Sequence, residues 1–184
     1  MAHIFTPNTR PQFATVRYKV FSPAAKTDSP TGKVTVCAIS KEKLISQIHV
    51  LQVKAKEKVK SIEDAEVIVV AGGGIKNPKD LKMLQQLADK LGGMVAATRP
   101  LIEAGAADPR LQIGLSGRTV KPNLIITCGV SGSVQFVAGM EKSENIIAIN
   151  VDENAAIFNV AHYGIVGDIY EIVPKLIESL SPRQ

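Results

Sequence analysis

From residue 63 onward, short runs of consecutive apolar residues alternate with stretches whose apolar positions recur every three or four residues. The runs at 67–70, 94–97, 124–127, 146–149 and 163–166 are nearly free of polar side chains, as parallel strands covered on both faces require. Between the first two, Leu81, Leu84, Leu87, Ala88 and Leu91 fall on one face of a helix. Asn77 is suited to its N-cap, Pro78 to its first position, and Gly92 with Gly93 to its end. Further helices are predicted near 133–138, 154–161 and 173–180. This alternation predicts an α/β fold with a doubly wound, Rossmann-like three-layer sheet, because parallel neighbours need crossover connections. Ligands of such sheets bind beyond the carboxyl ends of the strands. The loops at Gly72, Arg99, Gly129 and Asn150 are therefore expected on one rim.

Residues 1–62 follow a different pattern. β-rich runs occupy 13–21, 33–39 and 46–54, alternating apolar and polar over 13–21 and 48–53, with Pro7, Pro11, Pro23 and Pro30 interspersed and a turn at 28–33. Alternation of this kind predicts half-buried strands. The segment has too few apolar residues for a core of its own, so it reads as a β-rich N-terminal extension to a domain spanning 63–184.

Composition narrows the function classes. A chain of 184 residues with 45% hydrophobic content can bury a real core. With aromatic residues at 4% and Trp absent, stacking platforms for nucleic acid are scarce. The net charge of +5 owes much to scattered lysines before residue 61, which read as a solvated basic face rather than a nucleic-acid site. The two cysteines, Cys37 and Cys128, show no metal-ligand spacing, and no disulfide framework is signalled. No apolar run reaches the roughly 20 residues needed to span a bilayer, and the first residues lack the pattern of a secretory signal. A reducing, cytoplasmic setting is expected.

Two glycine turns carry the candidate chemistry. Gly72, Gly73 and Gly74 follow a strand and precede a helix, but Asn77 stands where a dinucleotide fingerprint needs its third glycine. A tight turn serving packing is as good a reading as ligand contact. Gly129 to Ser133 reads GVSGS at the start of a predicted helix, where unpaired backbone N–H groups accept anions. An ordinary capped helix start fits equally well. Ser131 lacks the GxSxG spacing of a nucleophile, and the three histidines have no catalytic partner in sequence, which argues against a Ser-His hydrolase. Arg99, directly after a strand, must reach the rim, an anion or Glu103 four residues on. The loop 114–118 adds Ser116 and Arg118, with a simple turn as its alternative.

Taken together, VIVVAGGGIK, ATRPLIEAG, QIGLSGRTVKPNLIITCGVSGSVQFVAGM, NIIAINVDENAAIF and VAHYGIVGDIYEIVPKLIESL resemble, in order, the FAD-binding domain of the electron transfer flavoprotein alpha subunit. RPQFATVR resembles the stretch that leads into it. The resemblance implies a DHS-like FAD/NAD-binding sheet and an extended FAD. It places Arg99 over the isoalloxazine with Thr98 beside it, Ser116 at the flavin N5, and Ile113, Gly114 and Leu115 along the same loop. Gly129, Ser131, Gly132, Ser133, Val134 and Gln135 would hold the pyrophosphate region, with Phe136 following, and Asn150 with Asp168 would address the ribose and adenine. No catalytic site is implied. The chain would be an electron carrier working with a beta subunit, an electron-donating dehydrogenase and a quinone reductase or other acceptor.

The sequence departs from the family pattern in several places. Phe136 stands where the family usually has His, so a cation able to stabilise one-electron-reduced flavin is missing. AGGGIK lacks the usual Arg and is one residue shorter, and Leu115 replaces a common Gln. The family's first α/β domain would precede RPQFATVR, so the sequence reads as either an excised domain or a native short form, and edge strands of the extension could pair two copies into a homodimer. An NAD- or thiamine-type cofactor domain of an enzyme and a flavin-free interaction domain are the alternative readings.

Overall fold

The computed structural model describes residues 5–16, 24–54 and 60–180. Met1–Val20 and Lys60–Gln184 form one compact unit, and Phe21–Val59 forms another. In the first unit, strands β1 (Val67–Ala71), β2 (Met94–Ala97), β3 (Leu124–Cys128), β4 (Asn145–Asn150) and β5 (Tyr163–Val166) build one sheet, ordered β2-β1-β3-β4-β5. Every neighbouring pair is parallel. The α/β expectation is met, and each of the five strands predicted after residue 63 forms within a residue of its expected ends.

The period of two along each strand feeds two separate cores. Ile68 and Val70 of β1, Ile125 of β3 and Ile146 of β4 face a cluster that contains Ile113, Phe136, Met140 and Ile157. Val69, Ala71, Ile126, Cys128 and Ile149 face the other way, onto Leu84, Leu87, Ala88, Leu101, Ile169 and Val173. That second face is covered by α1 (Leu81–Lys90), α2 (Arg99–Glu103) and α4 (Ile169–Ser179). Burying Leu84 and Leu87 of α1 alone contributes roughly 3–6 kcal/mol. Asn77 caps as expected, its Oδ1 accepting the Lys79 N–H at 2.9 Å. The cap opens a short 3₁₀ turn, Pro78–Asp80, that runs into α1.

Other helices differ from expectation. The one predicted over 133–138 is a single turn, α3 (Val134–Val137), and that over 154–161 is a 3₁₀ turn, Ala156–Asn159. Helix α4 starts four residues before its predicted beginning because Asp168 caps it, Oδ1 accepting the Tyr170 N–H at 2.9 Å.

The strands expected at 33–39 and 46–54 do not form. Residues 24–54 contain a 3₁₀ turn, Lys41–Leu44, and no strand, and 13–16 are likewise without one; the rest of the expected 13–21 strand lies outside the described residues. The reason is physical. An alternating segment becomes a strand only when a neighbour completes its ladder and covers its apolar side. Here Val34 is 91% exposed and Leu51 97%.

Two predictions follow from the packing. Burial pushes the Cys128 thiol up from 9.0 to about 12, whereas Cys37 is exposed. Titration with a disulfide reagent at pH 8 is expected to label Cys37 promptly and Cys128 only after denaturation. Since the folded chain keeps a proton that the unfolded chain loses above 9.0, this thiol also makes stability fall as pH rises from there towards 12. The second concerns Gly132, at φ +86, where a Cβ would collide with the Ile157 backbone. Gly132→Ala should cost about 2 kcal/mol or more in a urea unfolding titration.

Candidate functional site: a cleft along the carboxyl rim of the sheet

The strand order reverses direction between β1 and β3, and a doubly connected parallel sheet opens a crevice at such a point. Here the two glycine turns meet. Gly72 N–H donates to the Cys128 carbonyl at 2.9 Å and Gly74 N–H to the Gly129 carbonyl at 3.0 Å. A Cβ at Gly72 would fall on the Gly129 carbonyl oxygen, and one at Gly129, whose φ is +65, would come within 2.8 Å of Gly74 Cα. The glycines thus serve first to let two backbones touch. Packing, one of the two readings the sequence left open for 72–74, is realised between loops rather than between helix and sheet.

Beyond this contact lies a cleft of about 1280 Å³. It collects Thr98 and Arg99 after β2, Ile113, Gly114, Leu115 and Ser116 from the following loop, and Gly129, Ser131, Ser133, Gln135 and Phe136 after β3. Asn150 after β4 and Asp168 after β5 complete the set. Gly132 and Val134 do not line it. Gly132 is pressed against Ile157, while Val134 points outward at 78% exposure.

Each side chain is set by local contacts. Thr98 is 7% exposed, and its Oγ1 has no hydrogen-bond partner among the described residues, an arrangement that costs free energy until something binds it. Arg99 begins α2 and pairs with Glu103, Nε to Oε1 at 2.7 Å. Ser116 Oγ accepts a hydrogen bond from Gln112 Nε2 at 2.8 Å, which leaves its own proton to donate. Leu115 is exposed, its N–H held by the Gln135 carbonyl at 2.9 Å. Phe136 is buried, its ring in the core with Ile113 and Met140. Asn150 Nδ2 donates to the Val130 carbonyl at 2.8 Å and its Oδ1 accepts the Asp152 N–H at 3.0 Å, so it ties two rim loops together. Arg118, in contrast, turns to Glu63, Nη1 to Oε2 at 2.6 Å, and lies outside the cleft.

The electrostatics are mixed. Lys76 and Arg99 face Glu103, Asp152 and Asp168 within the lining. With Arg99 paired to Glu103, an anionic ligand would draw on Lys76, on backbone N–H groups and on the hydroxyls of Ser131 and Ser133. The single turn of α3 supplies little macrodipole, since that effect sums over aligned peptides. Lys76, Gln112, Asp152 and Asn154 line the cleft without having been singled out by the sequence. Their one legible signal was position: Lys76, Asp152 and Asn154 each lie in a loop that follows a strand, and Gln112 follows a 3₁₀ turn.

The chain is similar to known proteins. Residues 61–141 match the family described as the electron transfer flavoprotein FAD-binding domain. A lactate dehydrogenase (NAD(+),ferredoxin) subunit of Acetobacterium woodii is 58% identical over 96% of this chain and 42% of its own length. Electron transfer flavoprotein alpha subunits of Thermoanaerobacterium thermosaccharolyticum and Megasphaera elsdenii are each 41% identical, over 98% and 100% of this chain and 55% of their own lengths. The chain thus spans about half the length of the relatives it matches. It belongs to the electron transfer flavoprotein alpha-subunit family, with residues 61–141 matching that family's FAD-binding domain.

Proposed function

We propose that the cleft holds FAD in extended form and that the chain carries electrons through it, as the FAD domain of an alpha-type electron transfer flavoprotein. One observation carries this reading: Arg99, Ser116, Gln135 and Asp168, far apart in sequence, converge on a single cleft that runs the width of the sheet. Arg99 and Asp168 follow the two edge strands. Four interstrand steps separate those strands, roughly 19 Å at the usual spacing. A ligand touching both must be long, which favours a dinucleotide over a mononucleotide.

The residues present fit such a group. The unpartnered Thr98 Oγ1 awaits a polar atom, the Ser116 hydroxyl has a proton to give, and the glycine turns leave backbone within reach. When bound, FAD supplies the redox chemistry, accepting and releasing electrons singly or in pairs. Arg99 would favour added negative charge near the β2 end, an influence tempered by Glu103. Phe136 contributes shape to the floor rather than charge, because its ring belongs to the core. The sheet is read as doubly wound, three-layered and DHS-like, with residues 63–184 as the FAD domain and 1–62 as its extension.

In this reading the chain acts without a catalytic site of its own. A beta subunit completes the carrier, a dehydrogenase donates electrons, and a quinone reductase or another acceptor receives them. The exposed apolar residues of 33–54 would then be covered by a partner surface, either the additional length that relatives possess or a second copy. Among the described residues no helix is long and apolar enough to cross a membrane.

The direct experiment is a titration of the purified chain with FAD. Tight binding with an absorbance band near ~450 nm, and release of FAD on denaturation, is the expected result; a chain that stays colourless with excess FAD would overturn the reading. Arg99→Ala should then lower the midpoint potential of the bound flavin by up to roughly 60 mV, the equivalent of a decade for a one-electron couple. Equilibration with redox dyes measures it, and an unchanged potential would place the guanidinium away from the ring.

A further inference from the structure

Tyr170 sits on the first turn of α4, behind the cleft wall, and does not line it. Its hydroxyl nevertheless joins segments that are about half the chain apart. It accepts the Lys76 N–H at 2.8 Å and donates to Asp80 Oδ2 at 2.8 Å. The Lys76 ammonium lies over the Tyr170 ring, 5.1 Å from its centroid, and 3.9 Å from Asp168 Oδ2. Partial burial raises the phenol above its ordinary value, so it stays protonated and remains a donor to Asp80.

The consequence concerns the turn after β1. Gly72 and Gly74 N–H groups are taken by β3 and its loop, and Ile75 N–H by the Gly72 carbonyl. The Lys76 N–H is taken by Tyr170. The N–H of Gly73, a cleft-lining residue, has no acceptor among the described residues. A turn whose other donors are fixed in this way presents the remaining one in a defined direction, the arrangement by which backbone cradles an anion.

We propose that Tyr170 is a positioning residue for the bound cofactor. It fixes the β1 turn so that the Gly73 N–H and the Lys76 ammonium are presented to the end of FAD nearest Asp168, the nucleotide end rather than the flavin end. The inference rests on the FAD reading above. It extends that reading to a residue outside the cleft and to one end of the ligand.

Tyr170→Phe removes only the hydroxyl and keeps the ring beneath Lys76. Loss of one hydrogen-bond hub is expected to weaken FAD about fivefold, and ADP, which carries the nucleotide end alone, by about the same factor. The midpoint potential of flavin bound to the full-length variant should stay at the wild-type value. Amide hydrogen exchange at Lys76 in the cofactor-free protein should accelerate. Asp80→Ala, which removes the other partner of the hydroxyl, should weaken ADP in the same direction and serves if Tyr170→Phe folds poorly. A variant less stable to heat but with wild-type affinity for both ligands would overturn the proposal and leave Tyr170 a structural residue only. A shifted flavin potential with unchanged ADP affinity would also overturn it, by placing the effect at the wrong end. Wild-type protein that binds no FAD would remove the reading beneath the proposal, an outcome distinct from wild type binding FAD with the variant its equal.

Discussion

The site depends on two backbones being allowed to touch. Parallel strands bring the turns after β1 and β3 side by side, and any side chain on the facing atoms would hold them apart. Gly72, Gly74 and Gly129 remove that obstacle, and the resulting N–H to carbonyl bonds pull the turns into one ridge. The middle of the cleft takes its place from this ridge. The loop holding Ser131 and Ser133 leaves from one side of it and Lys76 from the other. A fold built this way spends its glycines on closeness of approach, and the binding surface is what the two turns leave exposed.

A second constraint is that both faces of the sheet are dry. Alternate residues of β1, β3 and β4 serve two different cores, so no strand can slip by one residue without sending large side chains to the wrong neighbours. Phe136 shows how the site borrows from this rigidity. Its ring forms part of the cleft floor and part of the core at once. A polar residue there would face both the cleft and a dry interior, whereas phenylalanine satisfies the interior and leaves the polar part of the lining to Ser116, Gln135 and Thr98.

The strands were legible because burial on two faces leaves a continuous apolar run, a signal confined to a few consecutive residues. The cap at Asn77 was legible for the same reason of locality. The extension misled because alternation records the capacity of a segment to pair, and pairing needs a neighbour that the segment itself does not specify. Among site residues, those read through the joint spacing of several loops converge on the cleft, whereas Gly132 and Val134 were included because their neighbours were. Loop direction decides which of two adjacent residues faces inward, and a one-turn helix gives no period from which to read it. Tyr170 was invisible for another reason. Its partners are 94 and 90 residues away, and nothing about a tyrosine on an amphipathic helix indicates where its hydroxyl lands.

Cys128 closes β3 immediately before the ridge, with its sulfur in the core and its proton firmly held. Reduced flavins exposed to oxygen generate peroxide, and peroxide attacks thiolates far faster than thiols. With flavin in the cleft, as proposed above, a cysteine beside it would ordinarily be a point of oxidative wear. Here the same dry packing that orders the strand keeps that sulfur as a buried thiol, so under the proposed function the architecture of the sheet would double as protection against the bound flavin.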